Sequence, residues 1–138
     1  MSYVSKLLAC AFISTIIFAS SEVGAQSWQA KELVCRGQAT LGNDTISDEL
    51  VLRLRGDSIE IRGEPGTPAT FDGTVYKVCF QDQDELDFEY TTGKCGTPDS
   101  TRFGDIQKVT GILKISRKDM GMSFVGNYVC KAANRVLN

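Results

Sequence analysis

The chain has 138 residues, a formal net charge of −2, five cysteines and no histidine. A charge so close to zero gives no general attraction to nucleic acid or to an anionic membrane surface. The length suits one domain with a thin core, and the lack of histidine removes the side chain that enzymes most often use as a general base.

The first 25 residues have the pattern of a secretory signal. An early lysine, Lys6, precedes an apolar run over residues 7–19, and the small residues Val23-Gly24-Ala25 close the segment. An apolar run of this length is too short to span a bilayer, whereas the whole pattern is typical of a cleaved signal peptide. We expect residues 1–25 to be removed and residues 26–138 to form one secreted β-domain, periplasmic or extracellular, with no membrane span.

Cysteine usage points to disulfides. The signal segment contains Cys10, so the mature chain keeps Cys35, Cys79, Cys95 and Cys130. An even number in a short exported chain indicates two disulfides, with three possible connectivities. The close Cys or His pairs of a zinc site are missing, so we expect no metal and no cofactor.

Period-two patterns predict strands from the start of the mature chain. Leu33, Cys35, Ala39 and Leu41 are in phase on a first strand. The next pattern is "LVLRLRGDSIEIR", residues 50–62, in which Gly56-Asp57 can form a two-residue hairpin turn. That turn sets Leu54 opposite Ile59 and Leu52 opposite Ile61 on the core face, with Arg53 opposite Glu60 on the wet face.

A second hairpin is predicted from strands at residues 74–80 and 85–91. Its expected inward pairs are Phe80 with Leu86, Val78 with Phe88, and Tyr76 with Tyr90. On the outer face the same register sets Lys77 opposite Glu89, as an exposed ion pair worth less than about 1 kcal/mol.

The segment "DQDELDFEY", residues 82–90, concentrates acidic side chains: Asp82, Asp84, Glu85, Asp87 and Glu89. A helix-loop-helix calcium loop would need a ligand where Leu86 stands and a glycine where Asp87 stands, so that motif fails. Alternation favours the wet face of a strand, and a looser cation site at Asp82, Asp84 and Asp87 stays open. The five acids are our candidate partner-binding residues.

Later patterns complete an all-β fold. Val109, Leu113 and Ile115 are in phase, as are Phe124, Tyr128 and Cys130 within a last strand at residues 122–132. Gly37, Gly111 and Gly126 interrupt strands where bulges or bends would let a sheet curl closed. We therefore predict a small antiparallel barrel or sandwich of seven to eight strands.

Cysteine phase favours one connectivity. Cys35 and Cys130 fall on the inward phase of the first and last strands, which become neighbours if a barrel closes. Cys79 falls on the outward phase, which leaves Cys95 as its partner. We favour Cys35 with Cys130 and Cys79 with Cys95, and the other two connectivities stay open.

Two stretches near the end, "GDIQKVTGILKIS" and "FVGNYVCKAANRVL", resemble the closing strands of small uncharacterised exported proteins of bacteria. Those proteins pair a first-strand cysteine with one in a final Y-x-C segment, as in Tyr128-Val129-Cys130 here. The resemblance implies an exported all-β protein and brings no catalytic residues. The size and architecture are also similar to those of the small periplasmic barrels that inhibit lysozymes, whose binding residues have no match in this chain.

The sequence favours a binding protein over an enzyme. Oxidised cysteines supply no thiol nucleophile, and solvated carboxylates lack the raised pKa that glycoside hydrolysis requires. Our first hypothesis is a non-enzymatic barrel that binds a protein partner, as an inhibitor of a basic envelope or host protein. The alternative is a carrier of a small apolar ligand, and its cavity would be lined by Phe80, Phe88, Tyr90, Phe124 and Tyr128.

Overall fold

Eight antiparallel strands, connected in chain order, close into a barrel in the computed structural model, which describes residues 31–66, 71, 73–96, 101–119 and 121–133. The strands are β1 (Glu32–Leu41), β2 (Asp44–Arg55), β3 (Ser58–Gly63), β4 (Thr74–Gln81), β5 (Glu85–Glu89), β6 (Arg102–Gln107), β7 (Ile112–Asp119) and β8 (Met122–Ala132). The predicted all-β class is confirmed, as a barrel. The expected signal peptide, residues 1–25, lies outside the described residues. Within these ranges no helix has the length and apolar character of a membrane crossing.

The barrel interior is filled by its own side chains. Alternate residues of a strand point to opposite faces, so each strand contributes its inward set. Phe71, from the β3–β4 connection, joins that set. The buried core comprises Leu33, Cys35, Ala39, Leu50, Leu52, Ile59, Ile61, Phe71, Tyr76, Leu86, Phe88, Ile106, Leu113, Ile115, Tyr128 and Cys130. An eight-stranded barrel is just wide enough for such a packed interior.

The β2–β3 hairpin has the predicted register. Its pairs include Leu54 with Ile59, Leu52 with Ile61 and Arg53 with Glu60. Gly56, in the turn, has a φ of 61°, a left-handed conformation that glycine adopts without steric cost.

The β4–β5 hairpin departs from the predicted register because of a β-bulge at Cys79. Lys77 pairs with Glu89 and Val78 with Phe88 as expected, but Phe80 then pairs with Asp87 and Gln81 with Leu86. The inward assignment of Phe80 and its pairing with Leu86 were wrong, since one extra residue reverses the side-chain direction that follows. Phe80 points outward and is 49% exposed.

Other local predictions also change. Tyr90 was expected inside, paired with Tyr76. It lies one residue beyond β5 and is 48% exposed, although its ring packs edge-on against Tyr76 with centroids 6.4 Å apart. Val109 lies in the β6–β7 turn instead of on an inward strand face, and Gly111 ends that turn with a φ of 74°. Gly37 and Gly126 stand in continuously paired stretches of β1 and β8, so neither marks a bulge, and the alternative of a bend at these glycines stays a prediction.

Pairing of β1 with β8 closes the barrel. Cys35 and Cys130 stand directly opposite each other in this pairing and are joined by a disulfide. A second disulfide joins Cys79 to Cys95. Both predicted connections are confirmed.

Candidate functional site: an acidic wall

Four carboxylates share the outer face of two neighbouring strands. Glu85, Asp87 and Glu89 alternate along β5, and Asp105 on β6 stands directly opposite Asp87. We call these four residues the acidic wall. The period-two geometry of β5 predicted that its acids would share a face, and the β5–β6 pairing adds the fourth.

Two exposed aromatic side chains flank the acidic wall. Phe80 on β4 pairs with Asp87, and Phe103 on β6 pairs with Glu89. Phe103 is 52% exposed. A shallow groove of about 450 Å³ runs over the β5–β6 part of the wall, and its lining includes Phe103 and also Lys114 of β7, which stands opposite Asp105. The surface thus combines negative charge with accessible apolar area.

Burial and mutual repulsion perturb two carboxyl groups of the wall, Glu85 and Asp87, so the expectation that its acids are solvated carboxylates without a raised pKa was wrong for these two. Partial burial raises the pKa of Asp87, and the negative charges of Asp105 and Asp82 raise it further. Its Oδ1 atom is buried and has no hydrogen-bond partner within the described ranges. The pKa of Glu85 is also raised, by desolvation and by the neighbouring acids, although Gln107 donates a 2.9 Å hydrogen bond to it.

Elsewhere on the barrel, three glutamates are paired with arginines. Glu32 accepts from Arg53 at 2.9 Å, Glu49 pairs with Arg36, and Glu60 lies between Arg55 and Arg62. By contrast, no carboxylate of the acidic wall has a lysine or arginine nitrogen within 4.0 Å among the residues that the structure describes. The wall is therefore a concentration of negative charge that this part of the chain does not neutralise by direct ion pairs.

Asp82 and Asp84 belong to the β4–β5 turn and not to the wall. One carboxylate oxygen of Asp82 accepts hydrogen bonds of 2.8 Å from the backbone N–H groups of Asp84 and Glu85. These two bonds lower the pKa of Asp82. Lys108 joins this turn to the β6–β7 turn, since its N–H donates to the Asp84 carbonyl at 2.7 Å and its Nζ donates to the Asp82 carbonyl. The Asp82 side chain thus stabilises the β4–β5 turn by accepting hydrogen bonds from its backbone.

The looser cation site gains no support from these positions. In the described part of the chain, the one group of three acidic or sulfur-bearing side chains whose ligand atoms all lie within 4.8 Å of one another is Cys79, Glu89 and Cys95. The carboxylates of Asp82, Asp84 and Asp87 do not form such a group.

The side chains of Glu89 and Lys77 form hydrogen bonds with the backbone of the segment that follows β5. Glu89 Oε2 accepts from the Gly96 N–H at 2.9 Å. The Nζ atom of Lys77, the residue opposite Glu89, donates to the Gly93 carbonyl at 3.1 Å. The predicted Lys77–Glu89 ion pair is not formed, because each side chain binds the backbone of the β5–β6 connection instead.

Sequence reasoning missed Asp105 and Phe103. Both lie in "RFGDIQ", residues 102–107, where outward Phe103, Asp105 and Gln107 alternate with inward Gly104 and Ile106. Gly104 hides the pattern, because a glycine at an inward position carries no apolar signal. It is needed there, since an added Cβ would lie 2.5 Å from the ring of Phe88.

Fold and surface together define a small disulfide-bonded β-barrel, with features compatible with a secreted binding protein. Its two disulfides indicate an oxidising, exported environment. Compared with known proteins, the chain matches no family model, no curated protein and no solved structure.

Proposed function

We propose that the protein is a non-enzymatic exported binding protein that docks a basic protein partner against the acidic wall. The observation that carries the proposal is the direct cross-strand pairing of Asp87 with Asp105. Like charges directly opposite each other on a sheet destabilise it. Lysine or arginine side chains of a partner would relieve this repulsion and form charge-assisted hydrogen bonds.

The flanking aromatic rings support the same proposal. Phe80 and Phe103 are each about half exposed at positions next to the acids. Aromatic side chains are enriched at protein interfaces, where they supply apolar contact area around which charged pairs are arranged. A basic protein with an apolar patch is therefore the partner class that this surface suits, and inhibition of such a protein is the expected consequence of docking.

The position of the acids favours binding over hydrolysis. Glycoside hydrolysis needs two carboxyl groups facing each other across a bound sugar. The acids of the wall instead lie side by side on the outer face of β5 and β6.

No observation favours the alternative of an apolar ligand carrier. Of its five expected lining residues, Phe88 and Tyr128 are buried in the core and Phe124 packs against it. Phe80 and Tyr90 are about half exposed instead.

The proposal is tested by affinity capture from the native envelope at low and high salt, followed by binding measurements with the identified partner. A double variant, Asp87→Lys with Asp105→Lys, is expected to weaken binding at least about tenfold, because two carboxylates are replaced by cations. The matched control is Asp44→Lys with Asp57→Lys, which makes the same charge change at exposed residues outside the wall.

The outcome that contradicts the proposal is equally specific. Binding that persists at high salt, or that falls equally in the wall variant and in the control variant, would show that the acidic wall is not the docking surface.

A further inference from the structure

A second cluster, at the Cys79–Cys95 disulfide, contains side chains that could ligate a metal once the disulfide is reduced. A carboxylate oxygen of Glu89 lies within 4.8 Å of both sulfur atoms, which are bonded to each other in the oxidised protein. The β4 bulge places Cys79 here, Glu89 is the last residue of β5, and Cys95 follows in the β5–β6 connection. The fold thus assembles two sulfurs and one carboxylate from three separate segments.

The two disulfides differ in their access to solvent. Cys35 and Cys130 are buried, at 0% and 6% exposure, whereas Cys79 and Cys95 are each partly exposed. Thiol–disulfide exchange requires that an attacking thiolate reach a disulfide sulfur, so exposed bridges are the labile ones. A reductant is therefore expected to open the Cys79–Cys95 bridge first and to leave the Cys35–Cys130 bridge, which closes the barrel, intact.

We propose that reduction of the Cys79–Cys95 disulfide creates a Zn²⁺ site whose protein ligands are the two thiolates and the Glu89 carboxylate. The reductant is a dithiol, whose two thiols become a disulfide while each cysteine sulfur gains one electron and one proton. Zn²⁺ then binds both sulfurs and releases the two thiol protons to solvent. The oxidised protein lacks this site, because both sulfurs are bonded to each other.

The ligand set and its surroundings suit zinc. Thiolate and carboxylate are common Zn²⁺ ligands, and three protein ligands leave the fourth tetrahedral position for water. The Gly96 N–H holds one oxygen of Glu89 at 2.9 Å and so orients the carboxylate, as outer contacts do in metal sites.

The test uses Co²⁺ as a spectroscopic probe and Zn²⁺ as its competitor. The purified protein is reduced with dithiothreitol and desalted without oxygen, and alkylation with peptide mapping establishes that Cys79 and Cys95 carry the free thiols. We expect one Co²⁺ per chain with a thiolate-to-cobalt charge-transfer band, which Zn²⁺ abolishes. The oxidised protein should show no band.

Two variants separate this site from other cysteine chemistry. Cys79→Ser with Cys95→Ser keeps the Cys35–Cys130 disulfide and should lose the band. Glu89→Gln keeps both thiols and should weaken Co²⁺ binding on the order of tenfold or more. Glu85→Gln, on the same face of β5, is the matched control and should bind like the wild type.

Three results would each overturn the proposal. They are a reduced wild-type protein without the band, a band that survives in the double serine variant, and equal affinities for Glu89→Gln and Glu85→Gln. None of them depends on the partner proposed for the acidic wall.

Discussion

The hydroxyl of Tyr128 donates a 2.9 Å hydrogen bond to a carboxylate oxygen of Asp48, across the strand that lies between them. Tyr128 on β8 and Asp48 on β2 are both paired with Gly37 of β1. Because Gly37 has no side chain, the tyrosine can reach over β1 to the buried carboxylate. Burial and the contact with Asp48 raise the pKa of Tyr128, so its hydroxyl stays protonated as a donor.

The substitution Tyr128→Phe is expected to destabilise the barrel. It removes the donor and leaves one oxygen of a buried carboxylate without this hydrogen bond, at a cost of about 1–3 kcal/mol. Urea unfolding measures the loss, and a cycle with Asp48→Asn isolates the coupling between the two side chains. Equal stabilities of Tyr128→Phe and the wild type would show that the hydrogen bond contributes nothing.

The substitution Gly37→Ala is expected to disturb the pairing of β1 with β8. A Cβ at this position would lie less than 3.0 Å from the Asn127 carbonyl oxygen and from the Tyr128 Cα. These are backbone atoms that cannot rotate away, so we expect a loss of about 1–3 kcal/mol or more in the free energy of unfolding.

The control for that variant is Gly93→Ala, since an added Cβ there has no atom within 4 Å. Its stability should stay within about 0.5 kcal/mol of the wild type. Thermal unfolding of both variants tests this prediction. Equal transition temperatures would contradict the close approach of the β8 backbone to Gly37.

The two disulfides are expected to contribute unequally to stability. Cys35 and Cys130 are 95 residues apart in sequence, and Cys79 and Cys95 are 16 apart. In the chain-entropy model the longer loop corresponds to about 4–5 kcal/mol and the shorter to about 3 kcal/mol. Paired cysteine-to-alanine variants, compared by denaturant unfolding, should therefore rank Cys35–Cys130 as the more important bridge, and the reverse order would contradict this account.

Asp87→Asn is expected to stabilise the protein at neutral pH. The pKa of Asp87 is raised above its ordinary value of 3.8, first by burial and then by Asp105 and Asp82. The folded state therefore binds this proton more tightly than the unfolded state does, and its stability rises as the pH falls through the raised pKa. The substitution removes the charge, so the gain in stability over the wild type should be full at pH 7, should shrink as the pH falls through the raised pKa, and should be lost below the ordinary value of 3.8.

Asp82→Ala is expected to change the stability at neutral pH in the opposite direction. Backbone N–H groups lower the pKa of Asp82, so its ionised form stabilises the fold above the ordinary pKa, and this contribution is lost as the pH falls through the lowered value. The variant should be less stable than the wild type at pH 7, with the difference narrowing in acid. Denaturant midpoints measured from pH 3 to pH 7 test the predicted gain for Asp87→Asn and the predicted loss for Asp82→Ala. If the midpoints of the two variants changed with pH in the same way, both predictions would be contradicted.

Most of the fold was predictable because one face of most strands is apolar. The alternation in "LVLRLRGDSIEIR" set the β2–β3 register, and cysteine phase indicated both disulfides. The direction of Phe80 was not predictable, because a bulge leaves period two intact on both sides and shifts only the phase between them. The sequence of residues 77–81 has no glycine to mark the extra residue.

The candidate site was predictable in part, for a related reason. The acids of β5 alternate with Leu86 and Phe88, so their shared face follows from local geometry. Asp105 and Asp48 join their neighbours only through pairing between strands. Asp48 continues the inward phase of Leu50 and Leu52. An acidic side chain nevertheless predicts a solvent-exposed position, because the sequence does not show that Tyr128 donates a hydrogen bond to it.

The Cys35–Cys130 bond also determines how the molecule responds to mechanical force. The two sulfurs join the first strand to the last, and the Ala133 N–H donates to the Glu32 carbonyl beside them at 3.0 Å. Tension applied at the two ends of the chain would pass through this covalent link and bypass the residues between Cys35 and Cys130. While the link is oxidised, pulling can extend only the chain outside it, which includes the first residues of β1 and the last residues of β8, and the residues between the two cysteines carry no load.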